Sequence, residues 1–290
     1  MYGYFVERSY KGFMPYTDLA LERRRADTDV PGIEYRETRC SVGSWERIKI
    51  STKPAAESIS RPIGDYNTLN LERMDLMTEG DVEDAADELA AELCSMLDDS
   101  DIFPGRLLIA GLGSRRLTPD SVGCKSAHRV KATMHIKEFD RRLFERLRCA
   151  EIAVCTPDVA SASGLDAAVT IRGICDLIQP DAVIAIDALA TGSAERLGTT
   201  VQICNTGISP GSGLGNPRLA ISKETVGVPV IAIGVPTVID ARSLCGMEEC
   251  SDRGIRPGMF VSPKEIDEIV DNAGKIIGRG INVAFGICDY

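Results

Sequence analysis

Five short apolar runs, each cut off by glycine, proline or aspartate, constrain this chain more than any other feature. They are "RLLIAGLG" (106–113), "AEIAVCTP" (150–157), "DAVIAIDA" (181–188), "TTVQICNTG" (199–207) and "VPVIAIGVPT" (228–237). Runs of this length without polar alternation belong to strands covered on both faces of a sheet. Between two of them, "SGLDAAVTIRGICDLIQPD" (163–181) sets Leu165, Ala168, Ile171, Cys175 and Ile178 at helical spacing. Strand–helix–strand order predicts an α/β fold with a mainly parallel sheet flanked by helices.

Two further helices are punctuated clearly. "DVEDAADELAAELCSML" (81–97) places Val82, Ala85, Ala86, Leu89, Leu93 and Met96 on one face, with acids in the first turn where the helix dipole favours them. In "SPKEIDEIVDNAGKIIGRG" (262–280), Ser262 is the expected N-cap, Pro263 the first helical residue and Glu265 the answering acid. The first 80 residues differ in character, being rich in charge and turn formers, with "WERIKI" (45–50) as an alternating strand. This part reads as a small, irregular antiparallel N-terminal appendage, and residues 81–290 as one α/β domain.

A net charge of -10 argues against a surface built to neutralise nucleic-acid phosphates. The ten cysteines are scattered from Cys40 to Cys288 through apolar runs, and "MYGYFVERSYKGFMPY" lacks a basic start followed by an apolar stretch. A reducing, cytoplasmic setting is expected. The apolar runs are strand-sized, well short of the ~20 residues that cross a bilayer, so no membrane span is expected.

Asp187 stands out because it interrupts a buried run, where an unpaired charge costs several kcal/mol. Catalytic groups in parallel sheets collect beyond the carboxyl ends of strands, and Asp187 falls there. Asp120, in the loop of "LLIAGLGSRRLTPDSVG" (107–123), approaches the same end from another strand. Two such carboxylates perturb one another, one holding a proton while the other acts as base. The plainer alternatives are an N-cap for Asp187 and a turn or cap for Asp120.

The segment "NTGISPGSGLGNP" (205–217) carries Gly207, Gly211, Gly213 and Gly215, whose backbone amides suit an anion or an extended peptide. It lacks the P-loop pattern. Gly111 and Gly113 begin a dinucleotide fingerprint that fails at Arg116. Tight loop geometry is the plainer role for both glycine groups. His128 and His135 are the only histidines, and Cys245 and Cys250 have no matching second pair, so neither a metal site nor a cofactor is expected.

The block from 181 to 240, "DAVIAIDALATGSAERLGTTVQICNTGISPGSGLGNPRLAISKETVGVPVIAIGVPTVID", closely resembles the germination proteases of endospore-forming bacteria. The resemblance extends to "LLIAGLGSRRLTPDSVG", "MFVSPKEIDEIVDNAGKIIGRGINVA", "YTDLALE" and, more faintly, "RPIGDYNTLNLE" (61–72). It implies an α/β fold similar to that of hydrogenase maturation proteases and an endopeptidase that degrades small acid-soluble spore proteins at germination. It also implies Asp120 and Asp187 as catalytic residues of an aspartic type, and a homo-oligomer, a tetramer, in the spore cytoplasm. Relatives are made as zymogens whose self-cleavage site resembles the substrate motif. Here Thr17-Asp18-Leu19-Ala20-Leu21-Glu22 has that form, which implies a propeptide of residues 1–18 and a cut between Asp18 and Leu19.

In that reading one aspartate takes a proton from water and the other donates one toward the scissile carbonyl. Amides near Gly111–Gly113 or Gly211–Gly215 hold the developing oxyanion. The chain departs from the family pattern at Ser114, where Asn is usual, in "CTPDVASASGLDAA" (155–168), and in a short "RSLCGMEECSDRGIRPG" (242–258). Two other readings remain at this point. One is a hydrogenase-maturation type of protease, which calls for a histidine after the second acid, and none follows His135. The other is a non-catalytic binder of peptides or anions.

Overall fold

The structure is a computed structural model that describes residues 17–23, 30–100, 105–215, 218–244, 254–256 and 258–287. Cys245, Cys250 and residues 1–16 of the expected propeptide lie outside the described residues. Among the described residues nine strands are formed: β1 (Ile33–Cys40), β2 (Gly43–Ile50), β3 (Gly64–Leu71), β4 (Arg106–Gly111), β5 (Glu151–Cys155), β6 (Ala182–Thr191), β7 (Thr200–Cys204), β8 (Val230–Asp240) and β9 (Phe260–Val261). They make one mixed sheet in the order β1-β2-β3-β7-β8-β6-β4-β5, with β9 pairing to β8.

The parallel character expected from the apolar runs holds for β5, β4, β6 and β8. The strand in "TTVQICNTG" differs: β7 runs antiparallel to both β8 and β3, and so joins the antiparallel β1–β3 meander to the parallel half. That junction pairs Tyr66–Asn70 with Thr200–Cys204, residues far apart in the chain.

Side-chain alternation sends each strand's residues to two cores. Leu107, Ile109, Ile184, Ile186, Ile231 and Ile233 enter one, which the helices Glu79–Asp99 and Ile266–Ala284 cover with Leu89, Leu93, Ile276 and Ile277. Leu108, Ala110, Val183 and Ala185 enter the other, beneath Ala168, Ile171 and Cys175 of the helix Ala167–Ile178. Each fully buried Leu or Ile stabilises the fold by about 1.5–3 kcal/mol. Every member of β6 from Ala182 to Asp187 is buried, which explains its nearly unbroken apolar sequence.

The helix in 79–99 starts as its acids suggest. Thr78 accepts from the Asp81 N–H, and Asp81 answers by accepting from the Thr78 N–H at 2.8 Å. The final helix corrects the sequence reading. It begins at Ile266, not after Ser262, because the Phe260–Val261 pairing to β8 holds the chain extended and a turn at 264–265 intervenes. Leu165 is likewise not part of the inward stripe: it is exposed ahead of the helix, whose N-cap is Asp166.

Candidate active site

Strand order reverses around β4. The chain leaves β4 toward β5 on one side, then returns to β6 on the other, which opens a crevice at the carboxyl ends of β4 and β6. β4 ends at Gly111, opposite Ile186, whereas β6 continues to Thr191. From Asp187 onward the β4-side edge of β6 is therefore without a partner strand, and its main-chain groups must bond elsewhere.

Asp187 shares the parity of Val183 and Ala185 and is buried within this overrunning part of β6. Its Oδ1 accepts from the Ala188 N–H at 3.0 Å. No helix follows: 188–191 remain strand, so the N-cap alternative falls away. Asp120 closes the loop after β4, its Oδ2 accepting from the Ser114 N–H at 2.9 Å while its carbonyl accepts from the same N–H. A turn role and a cleft position thus coexist in one residue. Only glycine suits position 113, at φ +82°, because a Cβ there would lie 2.0 Å from the Asp120 carbonyl oxygen.

Asp120 and Asp187 line the same cavity of about 490 Å³, together with Asp18, Asp158, Gly211 and Thr237. Burial pushes the Asp120 carboxyl up to about 6, with the Asp158 charge adding to it. Asp187 is raised well above the ordinary carboxylate range, first by burial and then by the charge of Asp120. Both carboxyls are thus pushed toward their protonated forms.

The segment Thr17–Arg23 fills the open edge of β6. The Asp18 N–H donates to the Ala190 carbonyl at 2.9 Å, and the Asp18 carboxylate accepts from the Ala190 N–H at 2.9 Å and from Ser212 Oγ at 2.6 Å. The Arg61 guanidinium donates to the Thr17 carbonyl. Gln202 reaches the main chain on both sides of Leu19: its Oε1 accepts from the Ala20 N–H at 3.0 Å, and its Nε2 donates to the Asp18 carbonyl at 3.5 Å. Glu22 accepts from the Gly192 N–H at 2.6 Å and from the Thr191 hydroxyl. Leu19, Ala20 and Leu21 are buried, the last two among Ile48, Ile50, Tyr66 and Cys204.

The glycine loops have specific places in this arrangement. Gly111 abuts the helix Val122–Arg129, where a Cβ would strike the Gly123 carbonyl. Gly213 leaves room for the Asp18 carboxylate, which a Cβ would meet at 2.1 Å. In the second loop the N–H groups of Ser212, Leu214 and Gly215 close turns onto Ser209, Gly211 and Ser212. Gly211 and Gly215 adopt the left-handed conformation those turns require. His128 and His135 are exposed, and among the described residues no cluster of His, Cys, Asp or Glu is arranged to hold a metal ion.

Three site residues escaped the sequence reading. Ser212 lay unremarked among the glycines. Gln202 sat inside an apolar strand, a neutral amide that marks the run far more weakly than the charge of Asp187 does. Thr237 is the extra residue of a bulge in β8, where Leu189 opposes Pro236 and Ala190 opposes Val238. Its buried hydroxyl has no hydrogen-bond partner among the described residues. Bulges re-aim side chains next to active sites.

The family model and the curated relatives point to one family. The germination protease family model matches residues 16–248. A germination protease of Caldanaerobacter subterraneus subsp. tengcongensis is 36% identical, over 92% of this chain and 93% of its own length. One from Bacillus subtilis is 37% identical, over 78% of this chain and 63% of its own length. Among solved structures, the NiFe hydrogenase maturation protease HycI from Thermococcus kodakarensis KOD1 covers 64% of this chain and 98% of its own, at 18% identity and a TM-score of 0.36.

Proposed function

The chain belongs to the germination protease family and is a peptidase, and from that premise we propose that it is a self-processing zymogen that begins the breakdown of small acid-soluble spore proteins at germination. The observation that supports this reading is the seating of Thr17–Glu22. An acid-Leu-Ala-Leu-acid sequence lies along the open edge of β6, its first carboxylate on Ala190 and Ser212 and its second on Gly192 and Thr191. Bonded in this way, the segment models how an acidic substrate peptide engages the cleft, and Asp18–Leu19 is the bond to be cut.

The carboxylates divide the chemistry by their surroundings. Asp120, nearer its ionised range, takes a proton from water as the water attacks the Asp18 carbonyl carbon. Asp187, held protonated by burial and by its neighbour, donates to the Leu19 nitrogen as the bond breaks. The exchange leaves a new carboxylate on Asp18 and a free amine on Leu19. The same reading assigns the enzyme to the spore cytoplasm as a homo-oligomer. Among the described residues no helix is long and apolar enough to cross a membrane.

N-terminal sequencing and intact mass of the chain before and after maturation test the proposal. The expected product begins at Leu19, and a peptide copying residues 14–25 is cut once, after the aspartate. A major N-terminus elsewhere, or a peptide left intact, would overturn it. A non-catalytic binder would retain the peptide uncut, which separates the two classes in one experiment.

A further inference from the structure

β7 is buried along its whole length, yet its centre is a glutamine. A buried primary amide carries two donors and an acceptor that need partners. Among the described residues, Gln202 spends them on main-chain atoms of one short segment: Oε1 on the Ala20 N–H and Nε2 on the Asp18 carbonyl. These two atoms flank the Asp18–Leu19 bond. Gln202 has the parity of Cys204, and so faces the side of the sheet on which the segment lies, opposite the small Gly234 of β8.

Several of the amides that sequence reading offered for an oxyanion are engaged elsewhere: that of Leu112 donates to the Ile186 carbonyl, and those of Ser212, Leu214 and Gly215 close turns. We propose that Gln202 is a catalytic residue of this peptidase, its Nε2–H stabilising the oxyanion that forms on the Asp18 carbonyl while its Oε1 fixes the chain beyond the cut. The inference rests on the reading of Asp18–Leu19 as the cleaved bond.

As water adds to the carbonyl carbon, the π pair moves onto oxygen, and that oxygen gains charge and bond length toward Nε2. The 3.5 Å ground-state contact is loose, and it tightens as the charge develops. Collapse of the intermediate returns the pair to the C–O bond and expels the Leu19 nitrogen, protonated by the acid of the pair. The glutamine itself neither gains nor loses a proton. This assigns the electrophilic role to a side chain on the antiparallel half of the sheet, while the acid–base pair belongs to the parallel half.

The test uses the full-length chain under conditions in which the parent matures, following self-cleavage by intact mass and cleavage of the 14–25 peptide in parallel. Gln202→Glu keeps an acceptor for the Ala20 N–H and, when ionised, lacks the donor. Gln202→Met removes both at similar volume and suits a strand buried on both faces. Each is expected to slow both reactions by about 10²–10³-fold. Gln202→Glu should leave the peptide KM within about threefold of the parent, and its turnover relative to the parent at the same pH should rise as acid protonates the new carboxyl. A folded Gln202→Met or Gln202→Glu chain that processes within threefold of the parent would overturn the assignment while leaving the protease reading intact. A parent that cuts neither its own segment nor the peptide would overturn that reading, and this inference with it.

Discussion

Glu92 and Asp187 are buried to the same degree, 8% and 5% exposed, and the molecule treats them in opposite ways. Glu92, on the helix over the antiparallel half, is met by Arg47 at 2.9 and 2.5 Å and by Asn67 at 2.6 Å. Asp187, in the parallel half, has one backbone N–H for company and further acids, Asp120 and Asp18, acting on it. A buried charge with a partner is a structural part. A buried carboxyl left without a cation beside other acids is pushed toward its protonated form, an arrangement that costs stability and clusters at functional sites.

The contrast breaks most visibly at Asp187. Asp187→Asn should lower peptide turnover by about 10²–10⁴-fold while the unfolding free energy at pH 7 holds or rises. Urea melts alongside kinetics check this, and a variant that lost stability but kept turnover would reverse the comparison. The pH dependence sharpens it. Both carboxyls are raised above their unfolded values, so between about pH 4 and 6 the native state binds more protons than the unfolded one. This pair therefore makes the protein more stable as pH falls from 7 toward 5. The gradient in melting temperature should be shallower in Asp187→Asn.

Glu92→Ala is the converse. It strands Arg47, which is about a third exposed, and should cost roughly 2–3 kcal/mol of unfolding free energy. The folded fraction should cut peptide within a few-fold of the parent. The smallest effect is expected at Ser212→Ala, which removes one hydroxyl from the Asp18 carboxylate. A rise in KM of about tenfold for the 14–25 peptide, with kcat nearly unchanged, separates recognition of the acid from the chemistry.

Much of the parallel half was legible because β4, β6 and β8 are continuous apolar runs whose physics is local. Asp187 was legible for the same reason, as the exception in such a run. Asp120 was not: its turn chemistry is that of any Thr-Pro-Asp-Ser, and only the family resemblance raised it. The β3–β7 junction and the docking of Asp18 on Ala190 join segments more than 100 residues apart, and no periodicity encodes a partner at that distance. Gln202 was overlooked because a single neutral amide barely disturbs an apolar pattern. Ser262 misled because its capping signature is sound locally, and the pairing of β9 to β8 overrode it.

β8 has β7 on one side and β6 on the other, and its eleven residues are the only covalent element common to both ladders among the described residues. Neither half can therefore melt without baring an edge of this one strand. Denaturation should proceed as a single cooperative transition, with tryptophan fluorescence from Trp45 in β2 and hydrogen exchange at Ile184 in β6 reporting the same midpoint.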